Sequence, residues 1–139
     1  MKVIDILNNT DKAVFSFELV PPLKGGDINK IYEAIEPLIA LAPPFINITF
    51  HRDEVVYREY PDGTIKKVTV TTRPGSVALA AAIMRRYNVD MVPHIVCGGA
   101  TRHKIENELI DLNFLDIENV MALRGDPIPG ERFFTPEEG

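Results

Sequence analysis

Apolar and polar positions fall in blocks along this chain, and the spacing within the blocks switches between strand and helix periods. Ala13-Val14-Phe15-Ser16-Phe17-Glu18-Leu19-Val20 has strand length and stops at Pro21-Pro22. After Lys24-Gly25-Gly26, Asp27 stands where a helix N-cap belongs, and Ile28, Ile31, Ile35, Leu38, Ile39 and Leu41 recur at helical spacing. Pro37 inside that pattern predicts a kink or a division, and Pro43-Pro44 ends it. Phe45-Ile46-Asn47-Ile48-Thr49-Phe50 predicts a second strand, Val77 to Tyr87 an Ala-rich helix, and Asp90 to Cys97 a third strand. Thr101 caps a helix predicted from Arg102 to Leu112, and Ile117 to Leu123 predicts a fourth strand. Val3 to Leu7 reads as a short leading helix or arm.

One segment breaks the alternation. Val55 to Tyr60, the turn Pro61-Asp62-Gly63-Thr64, and Ile65 to Thr72 predict a β-hairpin at about 55–72, inserted after the second strand. The remaining strands alternate with helices, which requires an α/β fold with a parallel sheet. No Gly-x-Gly-x-x-Gly follows any strand, so the dinucleotide fingerprint is absent. Polar residues stand instead at the strand ends: Glu18, Thr49 with His51, His94, and Arg124 with Asp126. Convergence from several strands is the habit of a parallel β/α (TIM) barrel. Residues 1–139 then supply its first four β/α units, the N-terminal half of a single catalytic domain. Pro127-Ile128-Pro129-Gly130 and Thr135-Pro136-Glu137-Glu138-Gly139 read as a loop that continues, so a truncated chain is expected.

Composition narrows the classes. Hydrophobic residues make up 45%, enough for a real core. The 15 Lys+Arg against 20 Asp+Glu give a net charge of -5, which speaks against a nucleic-acid footprint. No apolar stretch has the length of a membrane span, and the N-terminus lacks the shape of a signal peptide. The single Cys97 forbids an internal disulfide and fits a cytoplasmic setting, and no Cys/His spacing reads as a zinc site.

Each strand-end residue has a plain reading as well as a chemical one. Glu18 is a strand-end carboxylate or a tuned acid; His94 is a core histidine bonded to backbone or a ligand contact. Thr49 is a β-branched strand residue or a hydrogen-bond donor, and Arg124-Gly125-Asp126 is a solvated turn or an anion site with a carboxylate beside it. Cys97 reads as a small buried apolar residue.

The motifs carry more in combination. Phe15-Ser16-Phe17-Glu18 with Pro21-Pro22, Ile48-Thr49, Pro93-His94-Ile95-Val96-Cys97 and Ala122-Leu123-Arg124-Gly125-Asp126-Pro127, in this order and spacing, resemble the methylenetetrahydrofolate reductase family over nearly the whole chain. The resemblance implies a β/α barrel holding flavin adenine dinucleotide (FAD) at its mouth. It also implies NADH or NADPH as hydride donor and methylenetetrahydrofolate as the substrate reduced to methyltetrahydrofolate, in one-carbon metabolism and methionine synthesis. By the same resemblance Glu18 is the general acid for the folate nitrogen, and Asp126 lies near both the flavin ring and the pterin. Thr49, His94 and Arg124 contact the flavin. The family commonly has a Tyr-Gly pair after the threonine; here Phe50-His51 stands there, followed by Arg52-Asp53 and a longer hairpin.

The chemistry suits these types. Opening the folate ring to an iminium ion needs a proton delivered to nitrogen. Phe15, Phe17 and Leu19 are expected to bury Glu18 and so raise its pKa, and Asp126 nearby would push the pKa values of the two carboxyls apart. A non-catalytic α/β binding or assembly module, and another carboxylate-using barrel enzyme, remain the rival classes. A half-barrel leaves strand edges and an inner face uncovered. The 139 residues alone are therefore expected to be inactive, to bind flavin weakly, and to form a homo-oligomer.

Overall fold

A computed structural model describes residues 1–127, and the predicted alternation is present in it. In order the elements are α1 (Val3–Asn8), β1 (Phe17–Leu19), α2 (Ile28–Ile39), β2 (Phe45–Ile48), β3 (Glu54–Glu59), β4 (Ile65–Val70), α3 (Ser76–Tyr87), β5 (Asp90–Val96), α4 (Arg102–Phe114) and β6 (Met121–Leu123). β1, β2, β5 and β6 form one sheet in that order, with every neighbouring pair parallel. Each strand lies beside the one before it, once the hairpin is set aside. The expected tail loop from Ile128 to Gly139 lies outside the described residues.

Register steps along the sheet. β1 pairs Phe17–Leu19 with Ile46–Ile48, and β2 pairs Phe45–Ile48 with Asp90–Pro93. β5 then meets β6 through His94–Val96 only. Pro93 marks the handover between the two neighbours, and it brings no N–H to either ladder.

The core forms on one face of this sheet. Ile46 and Ile48 of β2 with Met91 and Ile95 of β5 pack against Ile35 of α2, Leu79, Ala80 and Ile83 of α3, and Leu112 of α4. Ile35, Ile46, Ile48, Ala80 and Ile83 have no exposed surface. Burying one isoleucine contributes ~1.5–3 kcal/mol. The small Ala80 lets α3 approach β5 closely. Ser76, at the start of α3, is buried and donates its hydroxyl to the His94 carbonyl at 2.8 Å, tying helix to strand.

The helix starts are as the sequence implies. Asp27 accepts from the Asn29 N–H at 3.0 Å, and Thr101 accepts from the Lys104 N–H at 3.2 Å. Pro37, in contrast, does not divide α2. It lies in the last turn and costs the helix one backbone bond, and the helix runs unbroken past it to Ile39 rather than to Leu41.

Two strands are shorter than their apolar runs. β1 is confined to Phe17–Leu19 and β6 to Met121–Leu123, because each has a single neighbour among the described residues and a ladder exists only opposite it. Ile117 begins no strand. Asp116 turns the chain with φ 56°, and the Ile117 N–H returns to the Leu112 carbonyl at 3.0 Å, so Ile117 closes α4 and packs in the core. The hairpin is present, with pairs from Glu54↔Val70 to Glu59↔Ile65. It ends at Val70 instead of Thr72 because the Thr72 carbonyl is taken by the Lys24 N–H at 2.7 Å. Asp62 in the turn accepts from the Thr64 N–H at 3.0 Å and hydroxyl at 2.6 Å.

Candidate functional site

Successive side chains on a strand point to opposite faces. With Ile46, Ile48, Met91 and Ile95 committed to the core, Glu18, Asn47 and Val92 form one row on the other face, since they pair in register across β1, β2 and β5. His94 stands on the same face, two residues along β5 from Val92.

The polar groups on this face are close together and incompletely satisfied. The Asn47 amide nitrogen donates to Ser16 Oγ at 3.3 Å and to the Phe17 carbonyl at 3.5 Å. A carbonyl only accepts, so this fixes which end of the amide is the nitrogen. Asn47 Oδ1 and His94 Nε2 are then buried without a hydrogen-bond partner. Buried polar atoms of this kind are rare and call for a ligand, a water or an ion. His94 Nε2 lies 3.9 Å from Glu18 Oε2, an ion-pair distance if the ring is protonated. Burial holds the His94 pKa below the ordinary imidazole value, and the Glu18 carboxylate opposes this only in part.

Glu18 itself is not buried. Its side chain is 59% exposed, against the expectation that Phe15, Phe17 and Leu19 would enclose it. Phe17 and Leu19 alternate to the other face, and Phe15 is itself 77% exposed. Thr49 caps the end of β1: its N–H donates to the Leu19 carbonyl at 3.0 Å, its hydroxyl to the same oxygen at 3.3 Å, and His51 Nε2 lies 3.3 Å from that hydroxyl.

Arg124 and Asp126 are exposed just past β6, and their backbone is held by an unexpected partner. Arg52, in the loop after β2, donates Nη1 to the Asp126 carbonyl at 2.8 Å and Nη2 to the Arg124 carbonyl at 3.2 Å. Glu18 and His94 are thus brought together, and Arg124 and Asp126 share one turn. No hydrogen bond joins Glu18 to Asp126. Asn47, Ser76 and Arg52 were missed as site residues. The only sequence signal for Asn47 was a polar residue inside an apolar strand, and for Arg52 the unusual His51-Arg52-Asp53 run.

The hairpin stands at the same end. The Thr72 carbonyl bonds to Lys24, and the Arg73 guanidinium donates to the Pro21 carbonyl, both in the loop that follows β1. Among the described residues no group of His, Cys, Asp and Glu could hold a metal ion, and no helix is long and apolar enough to cross a membrane.

Parallel β/α units with buried polar groups on one face and further polar side chains past the carboxyl ends of the strands define an α/β protein with the architecture that places sites at strand ends. The model of the methylenetetrahydrofolate reductase family matches residues 2–139, and the chain belongs to that family. It is 27% identical over 142 residues to "Methylenetetrahydrofolate reductase (NADH) 1" of Arabidopsis thaliana, an alignment covering 100% of this chain and 21% of that protein. It is 25% identical over 115 residues to "5,10-methylenetetrahydrofolate reductase" of Salmonella typhimurium, covering 83% of this chain and 33% of that protein. A relative from Schizosaccharomyces pombe, "Methylenetetrahydrofolate reductase 1", is 26% identical over 143 residues, 100% of this chain and 21% of that protein. The chain therefore spans between about a fifth and a third of the length of these relatives.

Proposed function

We propose that these residues serve a cytoplasmic reductase that converts methylenetetrahydrofolate to methyltetrahydrofolate with FAD and a nicotinamide donor. The observation that carries the reading is the polar face: a Glu18–His94 pair at 3.9 Å beside two buried, unpartnered polar atoms, in a chain of this family. The name of the Arabidopsis relative favours NADH as the donor.

The donor set fits a flavin. Asn47 Oδ1 is a buried acceptor in want of a donor, and a flavin ring edge offers both donors and acceptors. His94, kept neutral by burial, can donate or accept through Nε2. Thr49, Arg124 and Asp126 would complete the contacts, Arg124 as a fork for carbonyl or phosphate oxygens. When bound, the flavin supplies hydride storage between the two substrates. Glu18 would deliver the proton to the folate nitrogen, from an exposed side chain that can reach a bound ligand. Asp126 places negative charge near the reacting rings and orients the pterin.

The sheet order and the stepped register support a barrel wall, with further β/α units of the whole protein completing it. β1 and β6 each have one neighbour among the described residues, so copies of this chain alone would associate through those edges.

The test uses the full-length protein. Purified wild type should show a flavin absorbance spectrum, accept a hydride from NADH and reduce methylenetetrahydrofolate. Glu18→Gln should keep the first half-reaction and lose ~10²-fold or more in the second. Equal loss in both would make Glu18 structural. Wild type with no bound flavin and no folate reduction would return the chain to the binding-module or other-enzyme classes.

A further inference from the structure

We propose that Arg52 is a positioning residue: its guanidinium holds the Arg124-Gly125-Asp126 turn in the shape that presents the Arg124 and Asp126 side chains to bound ligands. The proposal rests on the reductase reading, because the placement of Asp126 matters to rate only if Asp126 acts there.

The geometry is specific. Arg52 follows β2, whereas the turn follows β6, and β5 lies between those strands. The side chain therefore crosses the carboxyl end of β5. It spends both Nη groups on the carbonyls of Arg124 and Asp126, either side of Gly125, at 3.2 and 2.8 Å, and among the described residues it bonds no carboxylate. An arginine serving only surface charge would turn to Asp53 or Glu54 beside it. A planar fork can bridge two carbonyls at once, and a lysine ammonium cannot hold the same geometry.

Gly125 is shaped to the clamp. Its φ is 79°, and a Cβ there would lie 2.6 Å from Arg52 Nη2 and 2.4 Å from Val96 Cγ1. Only the missing side chain lets the guanidinium and β5 press against the turn. From the other side, the Leu123 carbonyl takes the Cys97 N–H at 2.7 Å and the Arg124 carbonyl takes the Gly98 N–H at 2.9 Å. The carbonyls of Leu123, Arg124 and Asp126 are thus fixed by the two residues that follow β5 or by Arg52, while the Arg124 and Asp126 side chains stay exposed.

Arg52→Gln and Arg52→Lys in the full-length protein test this. The readouts are hydrogen exchange of the Gly98 amide without cofactor or substrate, and kcat and KM for folate reduction. Both variants should exchange faster at Gly98, whose acceptor is the Arg124 carbonyl. Both should lose ~10–100-fold in kcat with a smaller change in KM, the signature of a misplaced group rather than a lost binding contact. Lysine should not rescue. Wild-type kcat in Arg52→Gln overturns the proposal, and so does rescue by Arg52→Lys, which would make charge alone sufficient. If Arg52→Gln does not fold, Arg52→Lys decides on the same readouts. If wild type reduces no methylenetetrahydrofolate, the reductase reading fails by itself. The clamp is then judged on exchange alone, and unchanged exchange overturns it.

Discussion

Gly125→Ala should destabilise the protein for two separable reasons. The first is conformational: an alanine at φ 79° costs ~1–2 kcal/mol. The second is steric. The new Cβ would meet Val96 Cγ1 at 2.4 Å and Arg52 Nη2 at 2.6 Å, and overpacking of this kind costs ~1–3 kcal/mol. Arg52 can relieve its share by swinging into solvent, at the loss of two hydrogen bonds worth together about 1 kcal/mol once screening is counted. Val96, on β5, has no such exit. The total is ~2–5 kcal/mol. Gly63 and Gly25 supply the controls. Their φ values are 77° and 83°, and a Cβ at either meets nothing within 4 Å, so alanine there carries only the conformational cost. Urea denaturation of the three variants, with m-values compared, isolates the steric term as a difference of ~1–3 kcal/mol. Combining Gly125→Ala with Arg52→Ala should give less than the sum of the single effects. If Gly125→Ala costs no more than Gly63→Ala and Gly25→Ala, the turn is not pressed against β5 and Arg52, and the reasoning fails.

Ile83→Ala, at a site with no exposed surface, should lower stability by ~2–5 kcal/mol in the same denaturation assay; a loss below 1 would mean that α3 collapses onto the void. His94 titrates below its unfolded value of about 6.5, so between the two values the unfolded chain binds more protons. Stability should therefore fall as pH drops from about 6.5 through the folded pKa, and His94→Gln should flatten that part of a melting-temperature profile. Replacing Val55–Thr69 with a Gly-Ser turn, while keeping Thr72 and Arg73, should change KM for folate or nicotinamide more than the melting temperature. The ties of the return leg run to Lys24 and Pro21, and both survive the change.

The alternation of strand and helix, the inserted hairpin and the helix caps were legible because period and turn chemistry are local. Strand lengths were not. The runs Ala13–Val20 and Ile117–Leu123 are mostly apolar, but ladders form only opposite Ile46–Ile48 and His94–Val96, and no local signal marks those limits. Glu18 was expected at a strand end in apolar surroundings; it is the middle residue of the short β1, and its side chain is exposed. Its flanking aromatic and leucine residues are neighbours in sequence and face the other way in space. The pairing of Glu18 with His94 depends on the register of three strands, and the reach of Arg52 spans 74 positions of sequence. Contacts of that range leave no periodicity to read.

Pro93 has a consequence for the chain before it folds. β5 is the strand with the longest run of buried residues, Met91 to Ile95, described among residues 1–127. Freed from its sheet, such an apolar extended segment is the natural seed for cross-β stacking between chains. A proline in its middle withholds a donor from every intermolecular ladder that would include it, and stiffens the backbone against flat pairing. In the folded sheet the same omission falls where β5 passes from β2 to β6. The residue at that handover would therefore interrupt any intermolecular ladder built on β5 while its edge toward β6 is open.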